Sequence, residues 1–181
     1  MINVIHPEIK PYLVADCVKS IQDKCQIPVT IKCRIGVDQM DEEKGLDDFV
    51  DIVSEESVNI FIIHARKAIL NGLSPKQNRE IPPLNYNRVA SLKKRRPDLK
   101  IIINGGINSI SDGLALLQKD DFDGFMIGRE AYKNPYILTS VDKDIFSKKK
   151  KTKTRYEIAM QMADYIDNFI KHEEGGVHSI T

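Results

Sequence analysis

Four short apolar runs constrain the fold of this chain more than any other feature: Val29 to Ile35, Ile60 to His64, Ile101 to Asn104, and Gly124 to Gly128. Together they are rich in β-branched residues, and segments of helical character separate them. Strand and helix in alternation call for a parallel sheet with helices outside, the α/β class. With 41% hydrophobic and 29% charged residues in 181, the composition suits a globular core in one domain or slightly more. The net charge is only +1, so an anionic partner has to be held by a local cluster of positive charge rather than by the overall field.

The connecting segments sharpen this reading. Residues 13 to 24 place Leu13, Val14, Cys17, Val18 and Ile21 on one helical face, with Cys17 expected in the core. A second helix runs from about Asn87 to Arg96 and is closed by Pro97, and Ser109 with Asp112 resembles the start of a capped helix whose buried side is Leu114, Leu116 and Leu117. The connection Ala65 to Tyr86, ARKAILNGLSPKQNREIPPLNY, is Pro-rich, polar and basic. A loop of about 20 residues inside a compact domain is uncommon and usually functional. Residues 148 to 155, KKKKTKTR, carry six basic side chains and read as an exposed linker. Beyond them Ala159, Met162, Ile166, Phe169 and Ile170 form an apolar stripe on a helix expected to stop at Gly175-Gly176. No apolar run is long enough to span a membrane. Cys17, Cys25 and Cys33 form neither a CxxC pair nor a set with metal-ligand spacing, which fits a reducing compartment, with the cytoplasm or an organelle interior as the default.

The strand ends carry the chemistry. In the first run Val29, Ile31, Cys33 and Ile35 lie on one face and Thr30, Lys32 and Arg34 on the other. Either Lys32 or Arg34 meets an anionic group at the mouth of a barrel, or the strand is an edge with a solvated face. The second run ends in His64-Ala65-Arg66-Lys67, donors at the carboxyl end of a buried strand, where α/β proteins bind ligands. The third ends in Asn104-Gly105-Gly106 and the fourth in Gly128-Arg129. Glycines at such turns let a phosphate approach backbone amides, and residues from Glu130 onward are expected to open a short helix whose N-terminus favours anions. In (β/α)8 barrels phosphate sites are often built from the loops after strands seven and eight, which makes these four strands the second half of a barrel. Neither GxGxxG nor GxxxxGK[ST] occurs.

VTIKCRIGVD (29 to 38), FIIHARKAILNGLSPKQNREIPPLNY (61 to 86), INGGI (103 to 107) and MIGREAYKNP (126 to 135) closely resemble the tRNA-dihydrouridine synthases, specifically the subfamily acting at positions 20 and 20a. The resemblance covers most of residues 12 to 140 and extends through LVADCVKS (13 to 20) and the terminal HSIT. It implies an FMN-containing (β/α)8 barrel followed by a helical tRNA-binding domain, with NADPH as reductant, hydride transfer from flavin N5 to uracil C6, and a cysteine protonating C5. By the same resemblance Lys32 lies near the isoalloxazine and His64 is a flavin contact. Asn104, Gly105, Gly106, Gly128 and Arg129 match phosphate-binding segments. Lys76 and Arg79 fall where the subfamily contacts tRNA, with Arg66 and Lys67 close by.

The Asn-x-Gly-Cys-Pro turn that holds the family cysteine is absent, and none of the three cysteines aligns with it. A full barrel takes about 250 residues, of which about 125 are present. The expectation is therefore the C-terminal half of a TIM barrel, about four βα units over residues 1–147, then a basic linker over 148–155 and the start of a helical tRNA-binding domain over 156–181. Such a half exposes strand edges, so a missing barrel half or a second copy is an expected partner beside tRNA. Two other readings stay open: a non-catalytic tRNA-binding remnant, and a different phosphate-binding barrel such as a sugar-phosphate isomerase.

Overall fold

The computed structural model describes residues 2–3, 10–25, 27–149 and 151–172. It divides into two compact units, Met1–Tyr132 and Lys133–Thr181.

In the first unit five parallel strands lie side by side in chain order: β1 (Ile2–Asn3), β2 (Ile31–Arg34), β3 (Ile60–His64), β4 (Lys100–Asn104) and β5 (Gly124–Met126). The four apolar runs supply β2 to β5, each equal to or shorter than its run except β4, which begins one residue earlier. The two-residue β1 was not anticipated. Between the strands run α1 (Pro11–Lys24), α2 (Glu42–Ser54), α3 (Tyr86–Arg95) and α4 (Ile110–Asp120), and α5 (Arg129–Lys133) follows β5. No helix among the described residues is long and apolar enough to cross a membrane.

Local chemistry starts each helix. Pro11 opens α1, where its missing N–H costs nothing. Asp41 accepts from the amides of Glu43 and Lys44 at 2.8 and 2.7 Å, and Asn85 and Ser109 cap α3 and α4 through the amides of Arg88 and Asp112 at 3.0 Å.

The strands alternate. Ile31, Cys33, Phe61, Ile63, Ile101 and Ile103 are buried beneath the helices, and Lys32, Arg34, Ile62, His64, Ile102 and Asn104 form a half-buried opposite face. Burying each large apolar side chain contributes about 1.5–3 kcal/mol, so the helix side holds the unit together. Cys17 departs from expectation: it is exposed, as are Leu13 at 57% and Ile21 at 37%, while Val14, Ala15 and Val18 make the packed face of α1. The apolar sector of α1 is wider than the strip that α2 covers, and periodicity alone does not say which part meets a neighbour. On α4 Leu114, Leu116 and Leu117 are only half-buried, and Ile110 and Gly113 are its buried residues.

The amino ends of the strands are clamped by ion pairs. Lys93 Nζ lies 2.8 Å from Asp123 and donates to the Leu99 carbonyl at 3.0 Å, and Asp123 in turn accepts from the Ile101 amide at 2.8 Å. Beside it Arg95 pairs with Asp47 and Asp51, and Arg96 with Asp51 and Asp98.

The second unit contains a 3-10 helix (Pro135–Ser140), α6 (Val141–Asp144) and α7 (Arg155–His172). Described residues of the 148–154 stretch are neither helix nor strand. Thr154 and Glu157 then form a capping box: the Glu157 carboxylate accepts from the Thr154 amide at 2.7 Å, and the Thr154 hydroxyl from the Glu157 amide at 3.2 Å. On α7 Ile166 and Phe169 are half-buried, and Ala159, Met162 and Ile170 are exposed. The expected stop at Gly175-Gly176 lies outside the described residues.

Candidate functional site

Strand register builds the site. Arg34 pairs with His64, His64 with Asn104, and Asn104 with Met126, so these four residues form one row across the carboxyl ends of β2 to β5. Lys32 sits in the row beneath, beside Ile62 and Ile102. Above them opens a cavity of about 290 Å³ whose walls include Lys32, His64, Asn104, Gly105, Gly106, Gly128 and Arg129. All seven cofactor candidates named from the sequence therefore meet in one place. Arg34, Arg79, Ile107, Asn108, Met126 and Glu130 complete the lining with the Cys33 segment.

The glycine turn is demanded by its neighbours. Gly105 and Gly106 have φ of +114° and +68°, and a Cβ on Gly105 would stand 2.6 Å from His64 Cδ2. Leu84 and the Tyr86 hydroxyl crowd the same turn, and that hydroxyl donates to the Gly105 carbonyl at 2.5 Å. Asn104 donates through Nδ2 to the Met126 carbonyl at 2.8 Å and so ties β4 to β5. Gly128 is different. A side chain there would meet nothing within 4 Å and its φ is not positive, so the chain's own packing does not require a glycine.

The long connection is tied down by side chains. Asn78 is buried, accepts from the Ile69 amide at 2.7 Å, and donates to the carbonyls of Ile69 and Leu73 at 2.6 and 3.2 Å. Arg34 donates to the carbonyls of Lys67 and Asn78, both at 3.0 Å, and Arg66 to those of Glu80 and Pro82. Arg129 pairs with Glu80 at 2.8 Å. The residues of the β2 and β3 ends are zipped further by a bridge between Val37 and Ala68, with Asp38 accepting from the Leu70 amide at 2.7 Å.

Of the RNA candidates, Arg79 lines the cavity and Lys76 is exposed on the loop. Arg66 anchors the loop. Lys67 stands 3.8 Å from Glu42, on a separate apolar hollow walled by Ile35, Leu73 and Pro82. Asn78 and Glu80 are organisers that the sequence reading passed over. One signal was available: Ser74 and Gln77 have capping-box spacing, and the Gln77 side chain does accept from the Ser74 amide at 2.8 Å around the 3-10 helix Gln77–Arg79.

Positive charge dominates here. Burial holds the His64 imidazole down to about 3, with Arg34, Lys32, Arg66 and Arg129 adding to the effect, so the ring is neutral at pH 7. Burial, then Arg34, also lowers Lys32 from its ordinary value. The Cys33 thiol is pushed up to about 12 by burial, which leaves no thiolate for chemistry. Lys32, Arg34, Arg66, Arg79 and Arg129 share this end, and among the described residues only Arg129 has a carboxylate partner. Such a surplus of cations, with exposed backbone at Gly106 and Gly128, suits a phosphate.

A family model described as Dihydrouridine synthase (Dus) matches residues 9–181. Three proteins named tRNA-dihydrouridine(20/20a) synthase are similar. That of Pseudomonas putida (strain KT2440) is 47% identical over 173 residues, covering 94% of this chain and 50% of the relative. That of Vibrio vulnificus (strain CMCP6) is 51% identical over 159 residues, or 87% and 48% of the two chains. That of Escherichia coli (strain K12) is 51% identical over 156 residues, or 86% and 45%. The chain thus spans about half the length of these relatives. With a match from residue 9 onward and the strand-end residues gathered in one cavity, the chain belongs to the dihydrouridine synthase family.

Proposed function

We propose that the carboxyl-end cavity is the phosphate-binding part of a flavin site in an FMN-dependent, NADPH-driven synthase that reduces uridine at positions 20 and 20a of tRNA to dihydrouridine. The observation that carries this reading is a cavity lined by four cations, Lys32, Arg34, Arg79 and Arg129, at the turns that hold Gly105, Gly106 and Gly128, with Glu130 in the lining and Glu80 paired to Arg129.

The residues suit FMN on two further counts. The open space at Gly128 is the room a phosphate or ring needs, and Ile107 and Met126 give an apolar wall beside the cations. When bound, a flavin reduced by NADPH would supply the hydride for reduction of the uracil. Arg129, Asn104 and the amides of the glycine turns would hold the phosphate. Lys32, half-buried and without an acidic partner among the described residues, would place positive charge where a reduced flavin carries its negative charge. Neutral His64 offers a hydrogen bond without adding charge. Arg79 at the cavity rim and Lys76 on the loop would steer the RNA phosphates, with Arg66 and Lys67 fixing the loop that carries them, while the target base leaves its stack. The open edges at β1 and β5 would be met by a complementary barrel half or a second copy. The reaction takes place where tRNA is found, in the cytoplasm.

The test is made in the cell that encodes this sequence. Deleting its gene should abolish dihydrouridine at tRNA positions 20 and 20a, read by mass spectrometry, and Lys32→Ala with Arg129→Ala should mimic the deletion. Unchanged dihydrouridine at those positions would contradict the reading.

A further inference from the structure

Residues 143–155 of the second unit carry seven positive charges and one negative, in a chain whose net charge is only +1. The rest of the molecule is therefore acidic on balance, and this segment is its main positive region. Lys143, Lys148, Lys149 and Lys151 line one shallow depression with Ser147 and Thr152, and Lys151, Lys153 and Thr152 line the adjoining one. Among the described residues the Asp142 carboxylate lines the second depression with them. Lys148 lies 3.6 Å from Asp142, an exposed contact, and Lys153 donates to the neutral Gln161 at 2.7 Å. Two aromatic rings are interleaved with the cations. Phe146 is 62% exposed with the Lys148 ammonium 5.7 Å from its centroid, and the Arg155 guanidinium stands 4.2 Å over the Tyr136 ring.

We infer that this lysine surface, with Phe146, is an RNA-backbone docking site on which phosphates neutralise Lys143, Lys148, Lys149, Lys151 and Lys153 and an unpaired base stacks on the Phe146 ring. The inference rests on the tRNA reading above and adds a contact surface that the cavity does not provide. A solvated linker would need neither the exposed ring nor such a concentration of positive charge. Clustered cations alone serve any polyanion, whereas cations beside an open aromatic ring fit single-stranded or looped RNA, which offers both phosphates and π-faces.

The experiment is a titration of the full chain with an unmodified tRNA transcript from about 50 to 300 mM KCl, followed by fluorescence anisotropy. Replacing Lys148, Lys149, Lys151 and Lys153 by Gln should weaken binding about tenfold or more and reduce the salt slope of log K by about three, since each lost phosphate contact removes about 0.7–0.9. Phe146→Ala should weaken binding about fivefold or more with the slope unchanged. A control with the exposed Lys19, Lys24, Lys94 and Lys100 replaced by Gln changes net charge equally and should stay near the parent. A four-lysine variant with the parent's affinity and slope, a control that loses as much, or binding to phosphatidylserine vesicles in place of tRNA would overturn the inference while leaving the cavity reading intact. A parent that binds no tRNA would overturn both the inference and the substrate reading.

Discussion

The two ends of the same sheet treat charge in opposite ways. At the amino ends of the strands Lys93, Arg95 and Arg96 are each matched by carboxylates, on Asp123, Asp47, Asp51 and Asp98. Around the cavity at the carboxyl ends Lys32, Arg34, Arg79 and Arg129 outnumber the carboxylates, Glu130 in the lining and Glu80 paired to Arg129. Charge that is paired within the chain serves the fold. Cations in excess of carboxylates raise the cost of folding; Arg34 and Arg66 offset it by holding loop carbonyls, and Lys32 and Arg79 are left for a partner outside the chain. The difference gives stability to one end and, on the function proposed above, ligand binding to the other.

Substitutions should separate those two roles. The largest effect is expected from Lys93→Ala, which empties the buried Lys93 site and takes the partner from the Leu99 carbonyl and from Asp123; it should cost about 3 kcal/mol in urea unfolding while leaving anion binding at the other end unchanged. Loss of flavin binding in that variant, with the fold intact, would break the separation. Gly105→Ala comes next. It forces a side chain into a positive φ against His64, and should cost about 2 kcal/mol and also abolish FMN binding.

Acid distinguishes the ends by pH. Folded His64 takes up a proton only near pH 3, whereas the unfolded ring does so near 6.5, so between these values the unfolded state holds more protons. Stability should therefore fall as pH is lowered from 6.5, by about 1 kcal/mol per pH unit, and His64→Gln should flatten this slope in urea unfolding measured at pH 4.5 to 6.5. The carboxylates of the other end act lower. Asp98 is held down by its hydrogen bond from Arg96, and in Asp51 and Asp123 the bonds from Arg95, Arg96 and Lys93 outweigh the upward pull of burial. Their stabilisation is present above the unfolded value of 3.8 and is lost as pH falls through the lower folded values. The smallest effect is expected for Lys32→Met, which removes a half-buried unpaired cation. Stability should hold or rise by less than about 1 kcal/mol, while FMN affinity falls about tenfold.

Much of this was legible in the sequence because parallel strands put all their carboxyl ends on one side. Once the runs ending at His64, Asn104 and Gly128 were read as strands, their neighbours had to converge. Register was not legible, and so neither was the row from Arg34 through His64 and Asn104 to Met126. The pairing of Arg129 with Glu80, 49 positions apart in sequence, depends on how the long connection folds back, which Asn78 decides through backbone contacts that leave no periodic trace. Cys17 was misplaced for a related reason: its helix has more apolar surface than its neighbour covers. The capping box at Thr154 and Glu157 was visible in principle and lay hidden behind the lysine run.

The most direct test of the central claim, that the cation-rich carboxyl end forms a phosphate site, is a comparison of FMN with riboflavin. The two differ only in the phosphate, and their binding to the full chain can be followed by flavin fluorescence. The account predicts that FMN binds at least about tenfold more tightly than riboflavin and that Arg129→Ala erases most of the difference. Equal affinities for the two flavins, or a preference unchanged by Arg129→Ala, would contradict it.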